Sequence, residues 1–578
     1  MGSLREEVRG FLRQEVEKGA FEPHCDAWLS AHDPAFSKRL AERGWVGMTL
    51  PSRYGGHERS YLDRYAVLEE LLAAGAPVAA HWIADRQTGP LLLRYGTEPQ
   101  RERFLPAIAR GECFFGIGMS EPDSGSDLAS IRTSARRVEG GWVLNGAKVW
   151  TSHAHRSHYM ITLVRTSPLG EDRHQGLSQL IVDLHGPGVE VRPIRLLSGE
   201  PHFSEVVFTE AFVPEEMLVG SEGEGWLQVT SELAYERSGP ERVLSTFPLL
   251  REVVRLAGAG PDARTAQAIG ELVARLWTLR RLSMGVAERL QKGDVPAAEA
   301  ALVKDLGTRF EVEVVGVARD LVAPAGAGDG FQKLYWESVT HAPGFTLRGG
   351  TNEILRGIVA RSLAASGPLG TDLDEEQRLL AETATDVFSA SNPEAEFERA
   401  GLAEVREAGP REAALVARIA AYHAAPESLF ERLMEPGPLL RAVQMAGAAA
   451  RARDLTVQYG AERRQFGQPI NRFQAVQQEM AEMASEAAAA AAAVDQALEA
   501  GSELRVRAAK VAAGRAAARV AAIAHQVHGA IGFTHEHELH RYTTIIWRWR
   551  DQDGTEAEHA VELGRAVAGQ DLWGLTTA

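Results

Sequence analysis

A few short stretches of this chain carry residues that chemistry can use. In SELAYERSGPERV, residues 231–243, the carboxylates Glu236 and Glu241 each stand beside an arginine. Such a pair is usually a salt bridge, but burial against an apolar ligand raises a carboxylate's pKa towards that of a working general base. FFGIGMSEPDSGSD (114–127) and LNGAKVWTSHA (144–154) gather Ser, Gly and Asp, which make tight turns and present backbone N–H groups. That suits a pyrophosphate or a flavin edge, and equally the ordinary loops of a β domain. In ERRQFGQPINRFQAVQQEMAEM (462–483), Arg463 and Arg464 precede Phe466, with Gln474 at helical reach. Paired arginines neutralise phosphate and an aromatic covers a ring, although a solvated helix start reads similarly. AHQVHGAIGFTHEHELHR (524–541) holds five histidines. The Gly-rich turn and the lack of a paired carboxylate motif argue against zinc, and Gln526 with Gly529 fits a turn packed on a ligand better.

These stretches sit on elements whose periodicity changes along the chain. Up to about residue 110, apolar residues recur at three and four spacing, which predicts helices. From Cys113 to about Trp226 the pattern alternates with turn residues between, predicting a small antiparallel β domain. From GWLQVTSELAYERSG onward helical periodicity returns, rich in alanine, and runs to the carboxyl terminus. The expected fold is mostly α with one small antiparallel β domain.

One helical unit is written twice. LREEVR at residue 4 is echoed by LDEEQR at 373, an offset of 369, whereas Thr351 of RGGTNE matches Thr555 of DGTEAE, an offset of 204. The second copy is therefore 165 residues shorter, and no alternating tract lies within it. One full unit is followed by a shortened helical unit without the β domain. The expected division is 1–111 (helical), 112–226 (β), 227–365 (first C-terminal helical domain), 366–440 (reduced leading helices of the second unit) and 441–578 (second C-terminal helical domain).

A formal charge of −16 disfavours a broad nucleic-acid surface. Only Cys25 and Cys113 occur, too few for a disulfide framework, and no stretch is apolar enough to span a bilayer. A cytoplasmic protein without metal, nucleic-acid or membrane partners is expected.

Taken in order, MSEPDSGSD, KVWTS, FTEAFVPEEMLVG leading to GEGW, RRQFGQPINRFQAVQ, HQVHGAIGF and RGGTNEILR resemble the acyl-CoA dehydrogenase family over nearly the whole chain. The resemblance implies FAD-dependent oxidation of an acyl-CoA thioester to its 2,3-enoyl form. It implies near-side flavin contacts at Ile117, Met119, Ser120, Gly125, Ser126, Trp150, Ser152, Thr351 and Glu353. Far-side contacts are implied at Arg463, Phe466, Gln474, Gln526, Gly529 and Ala530, with Ser126 and Arg237 also facing substrate. Each unit lacks the other's set: LREVVRLAGAGPDARTAQAIG has no Arg-x-x-Phe-Gly, and LVAPAGAGDG replaces Gln-x-x-Gly-Gly. One complete FAD site per chain is the expectation, as in a fused form of the heteromeric steroid-side-chain enzymes, within one chain or across a dimer. Many relatives take their base from the residue before Gly-Thr in the terminal loop, a place occupied by Gly349 in one copy and Asp553 in the other. Another branch uses a Glu-Arg pair on an earlier helix, which aligns with Glu236-Arg237, so Glu236 is the expected catalytic base and Glu241 its competitor. The shortened second unit leaves room for a bulky, steroid-like acyl group. An electron-transferring flavoprotein as acceptor and a homodimer of double units are also implied. A flavin oxidase of the same fold, resembling nitroalkane oxidases, and a non-catalytic family member are the alternatives.

Overall fold

A computed structural model describes residues 2–237, 239–322, 326–363 and 373–578, apart from the side chains of 232–237. The expected join at 365/366 lies outside the described residues. By compactness the chain divides into one unit comprising Met1–Leu250, Ser283–Ala300 and Glu311–Thr351, and another comprising Arg251–Leu282, Ala301–Phe310 and Asn352–Ala578.

The first unit opens with helices whose starts are written in the sequence. The Ser60 hydroxyl accepts from Asp63 N to cap Tyr61–Ala73, and Thr97 with Gln100 forms a reciprocal capping box on Glu98–Ala109. The alternating tract forms an eight-stranded sheet: β1 (Phe115–Gly118), β2 (Ser134–Val138), β3 (Gly141–Ser152), β4 (Tyr159–Arg165), β5 (Leu177–Asp183), β6 (Val189–Arg195), β7 (Pro201–Pro214) and β8 (Leu218–Val219). Its order is β6-β7-β3-β2-β4-β5-β8, with β1 added beside β4. The pairing is antiparallel as expected, except that β1 and one residue of β2 run parallel to β4. Trp142, Leu144, Ile161, Ile181 and Phe208 pack on Phe104, Leu105 and Ile108 of the preceding helix to make the core under the sheet.

Three histidines of this unit are removed from solvent, His81 and His153 fully and His32 in part. Burial pushes His32 and His81 down to about 4 and His153 to about 3, so all three are neutral in the fold at pH 7. The unfolded chain takes up protons below about 6.5, the ordinary histidine value. The stabilisation is therefore present above that pH and is lost as pH falls from about 6.5 towards 4. Thermal unfolding followed at pH 7.5, 6.0 and 5.0 should give a falling Tm, and a flat profile would contradict neutral burial.

The second unit is helical, as its periodicity predicts. Among the described residues the only strands after Val219 are the two-residue pieces Arg464–Gln465 and Gln468–Pro469. Its core is an alanine-rich stack of Pro410–Tyr422, Pro438–Glu462, Gln474–Ala500, Glu503–His528 and Leu539–Asp551. Small residues let these helices approach closely: a Cβ on Gly447 would lie 2.2 Å from the Arg418 carbonyl oxygen. Likewise, a Cβ on Gly564 would fall 1.8 Å from the Ala266 oxygen, and one on Gly270 1.9 Å from that of Ala560. No helix among the described residues is long and apolar enough to cross a membrane.

Candidate active site

In the β domain one buried lysine organises the Met119–Asp127 turn. Lys148, fully buried on β3, donates to the Met119 carbonyl (3.0 Å) and to the Glu121 carboxylate (2.8 Å). Glu121 also accepts from the backbone of Arg132 (2.7 Å) and Thr133 (2.9 Å), while Val149 N donates to the Ser120 carbonyl (2.9 Å). Burial pushes Lys148 down to about 8. Burial also pushes Glu121 up, but Lys148 and the hydrogen bonds more than offset this, so the pair is ionised at neutral pH. Ile117, Met119 and Ser120 are half-buried and Gly125 and Ser126 exposed, all on or just beyond β1.

Trp150 follows at a break in the β3–β7 register between Lys148 and Thr151. It takes φ 63° and is 55% exposed. A bulky residue in the left-handed region is strained, and a bulge re-aims its side chain out of the sheet. The indole meets the Phe203 ring edge-on at 6.2 Å but stays more than half exposed, so this geometry favours a planar partner stacked on it. Ser152, two residues on, is half-buried.

The terminal loop is anchored by groups that sequence reasoning did not single out. Arg348, just before Gly349, makes a two-pronged ion pair with buried Asp26, both contacts 2.6 Å, and lies over the Trp28 ring at 4.6 Å. Burial pushes the Asp26 carboxyl up, but Arg348 and His341 more than offset it and hold it well below the ordinary carboxylate range. Asp26 N donates to the Ser245 carbonyl (2.7 Å), Trp28 Nε1 to Ser245 Oγ (3.1 Å), and Ser245 N to Glu311 Oε1 (2.9 Å). Glu311 Oε2 is buried without a hydrogen-bond partner, and burial pushes this carboxyl up to about 7. One polar network thus fixes the loop before Gly349 and the chain just after the Glu236–Arg237 helix. Arg348 lay within the quoted loop and could have been noticed. Asp26 and Ser245 carried no local signal.

Glu236 and Arg237 end the helix Gly225–Arg237, but their side chains lie outside the described residues. Glu241 is buried in an ion pair with Arg86, with Arg242 at 3.9 Å. A Cβ on Gly239 would meet the side-chain ends of both members of the Arg86 pair. A carboxylate so committed is poorly placed to take a substrate proton. Two cavities flank this segment. One of about 140 Å³ is lined by Ser231, five residues before Glu236, together with Leu50, Tyr61 and Leu91. A smaller one of about 20 Å³ touches Arg86, Gly239 and Pro240.

In the second unit, RQFGQP forms a two-residue hairpin with Phe466 at φ 51° and Gly467 at φ 83°. This positive-φ pair matches the twist of the flanking strands. It leaves Phe466 93% exposed at the tip, a second aromatic displayed on left-handed backbone. Among the described residues the exposed side chains of Arg463, Gln474 and Gln526 make no hydrogen bond or ion pair. Gly529 and Ala530 are exposed just past the end of Glu503–His528. This donor-rich, open set has the chemistry of a surface that receives an anionic dinucleotide. The neighbouring histidines stack instead: His528 lies 4.4 Å from the Tyr459 ring with Nδ1 on the Ala524 carbonyl, and no metal-binding group occurs among the described residues.

The two loops share a backbone shape. Gly349 and Gly350 take φ 68° and 89°, Asp553 and Gly554 take 57° and 90°, and each pair precedes a threonine and a helix. Thr351 is half-buried and Glu353 exposed, and the Glu353 carbonyl accepts from Gln478 Nε2 (2.7 Å). The Asp553 carboxylate accepts from Arg441 Nε (2.8 Å), so this second loop holds a structural ion pair.

Residues 2–112 match the domain family described as "Acyl-CoA dehydrogenase, N-terminal domain" and residues 116–211 the corresponding middle domain. The C-terminal domain of that family matches in two segments, 223–364 and 429–567. The chain is similar to acyl-CoA dehydrogenase IpdE1 of Mycobacterium tuberculosis, 35% identical over 377 residues that span 62% of this chain and 95% of the relative. It is also similar to a solved structure titled "Tcur3481-Tcur3483 steroid ACAD", at TM-score 0.57 and 27% identity, covering 63% of this chain and 97% of that one. An acyl-CoA dehydrogenase complexed with FAD from Bacillus anthracis aligns over 98% of this chain and 94% of its own, at TM-score 0.71. With 18% identity, that last likeness is one of fold.

Proposed function

Because the chain belongs to the acyl-CoA dehydrogenase family, we propose that it removes the α and β hydrogens of a bulky, steroid-like acyl-CoA thioester to give the 2,3-enoyl-CoA. Glu236 takes the α-proton, which the thioester carbonyl acidifies, and Arg237 helps hold substrate. FAD, the cofactor of this family, supplies an acceptor for the β-hydrogen and its electron pair when bound. Ile117, Met119, Ser120, Gly125, Ser126, Trp150, Ser152, Thr351 and Glu353 hold it on one side, with Ser126 also touching substrate. Arg463, Phe466, Gln474, Gln526, Gly529 and Ala530 hold it on the other, supplied by the same chain or by its partner in a homodimer. Reduced enzyme passes electrons to an electron-transferring flavoprotein in the cytoplasm.

The observation that carries this reading is the replacement of a loop carboxylate by Gly349 in the unit whose cavity is walled by the Glu236-bearing helix, with Glu241 already paired to Arg86. Supporting the cofactor's placement are two exposed aromatics on left-handed backbone, Trp150 and Phe466. The steroid-like acyl group is supported by the relatives' names and by the absence of a second β domain among the described residues. An anaerobic titration of the yellow protein with acyl-CoA thioesters tests the reading. Polycyclic thioesters should bleach the flavin at lower concentration than short linear ones. Bleaching by short linear thioesters alone would remove the steroid-like class, and bleaching by none would remove the dehydrogenase reading.

A further inference from the structure

The 140 Å³ cavity beside the Glu236-bearing helix has an apolar body and, in its lining, side chains that can donate hydrogen bonds. Leu50, Pro90, Leu91 and Leu93 supply the body. Gln87, Arg94 and Tyr95, all from the segment Ala84–Tyr95, also line it, Gln87 and Tyr95 half-buried and Arg94 exposed to solvent. Gln87 lies in a π-helical turn, Ala84–Thr88, a rare distortion that aims side chains differently from an α-helix and recurs at functional sites. The Tyr95 hydroxyl is buried with no hydrogen-bond partner. The Arg94 guanidinium, over the Tyr95 ring at 5.2 Å, makes no ion pair or hydrogen bond among the described residues, and neither does the Gln87 amide.

A buried hydroxyl without a partner costs free energy until something satisfies it, and an unpaired arginine beside it selects what that something is. Pockets that enclose a whole drug-sized ligand run to roughly 300–1,000 Å³. A space of about 140 Å³ takes one limb of a larger molecule.

Resting on the acyl-CoA reading above, we propose that the acyl group carries a carboxylate at its end remote from the thioester, and that Arg94, with Tyr95 and Gln87, binds it. The substrate class is thus an acidic acyl-CoA, whether a straight-chain dicarboxylic acid or a ring-bearing acid. Arg94 sets specificity and has no part in the proton transfer.

The test uses two matched pairs of thioesters, one straight-chain and one ring-bearing, whose members differ only in a remote methyl or carboxylate. Binding to the flavin-loaded enzyme is read by calorimetry, and turnover separately by bleaching. The wild type should bind the carboxylate member about tenfold to a hundredfold more tightly in at least one pair, as a charge-assisted hydrogen bond provides. The pair that shows this identifies the source. Arg94→Met should collapse the ratio towards one, Arg94→Lys should restore part of it, and Tyr95→Phe should lower it a fewfold. Equal affinity within both wild-type pairs, or a ratio that survives Arg94→Met, overturns the proposal. Absence of bleaching with a preserved Kd ratio would reject dehydrogenation while supporting the anion subsite.

Discussion

Glu236→Gln is expected to purify yellow, with FAD bound as in the wild type, yet to lose dehydrogenation by a factor on the order of 10²–10⁴, the usual contribution of a positioned general base. Glutamine keeps the shape and hydrogen-bonding reach of glutamate but cannot take a proton at neutral pH. The matched control is Glu241→Gln. That change removes a buried ion-pair partner of Arg86 and should appear as lost thermal stability more than as a catalytic defect in the folded fraction. Stopped-flow reduction of the flavin, alongside a melting curve, separates the two. Near-normal reduction in Glu236→Gln would sink the base assignment. A catalytic collapse of Glu241→Gln at unchanged Tm would transfer the role to it.

Lys148→Met should have the largest effect on stability. It strips the buried Glu121 carboxylate of its cation and releases the Met119 carbonyl from its donor. Removing one partner of a buried pair costs about 3–5 kcal/mol, because the remaining charge stays buried. For a unit of this size that is a fall in Tm on the order of 10 °C. The turn that displays Met119, Ser120 and Ser126 loses its anchor at the same time, so FAD should wash out during purification. The double variant Lys148→Met/Glu121→Gln removes the stranded charge and should recover part of the stability. If the double variant is no better than the single one, the cost lies in packing and the charge argument fails. A fully stable single variant would show that the turn does not depend on the lysine.

How much of this was legible in the sequence depends on the range of the interaction involved. The helical and alternating tracts, the caps at Ser60 and Thr97, and the missing second β domain follow from patterns a few residues long, because periodicity and capping act within a few turns of chain. The echo of RGGTNE in DGTEAE was equally local, and both loops carry positive φ at the two residues before threonine. The opposite fates of those loops were not local. Asp553 occupies the usual base position of its copy, and what it does there is set by Arg441, 112 positions away. Glu241 stood level with Glu236 as a carboxylate beside an arginine, but its hydrogen-bonded partner is Arg86, 155 positions earlier, with the neighbouring Arg242 only at 3.9 Å. Nothing around Asp26 marked it as the anchor of Arg348, 322 positions on.

The sequence by itself determined the kinds of element and their order, since these depend on torsional preference and on the spacing of apolar residues. Only the tertiary structure decided which carboxylates are spent on ion pairs. It also decided which polar groups, such as Arg94 and the Tyr95 hydroxyl, are left facing a cavity. Burial and charge pairing depend on what the folded chain brings together from distant positions, and the strength of each pair depends on how fully water is excluded from it.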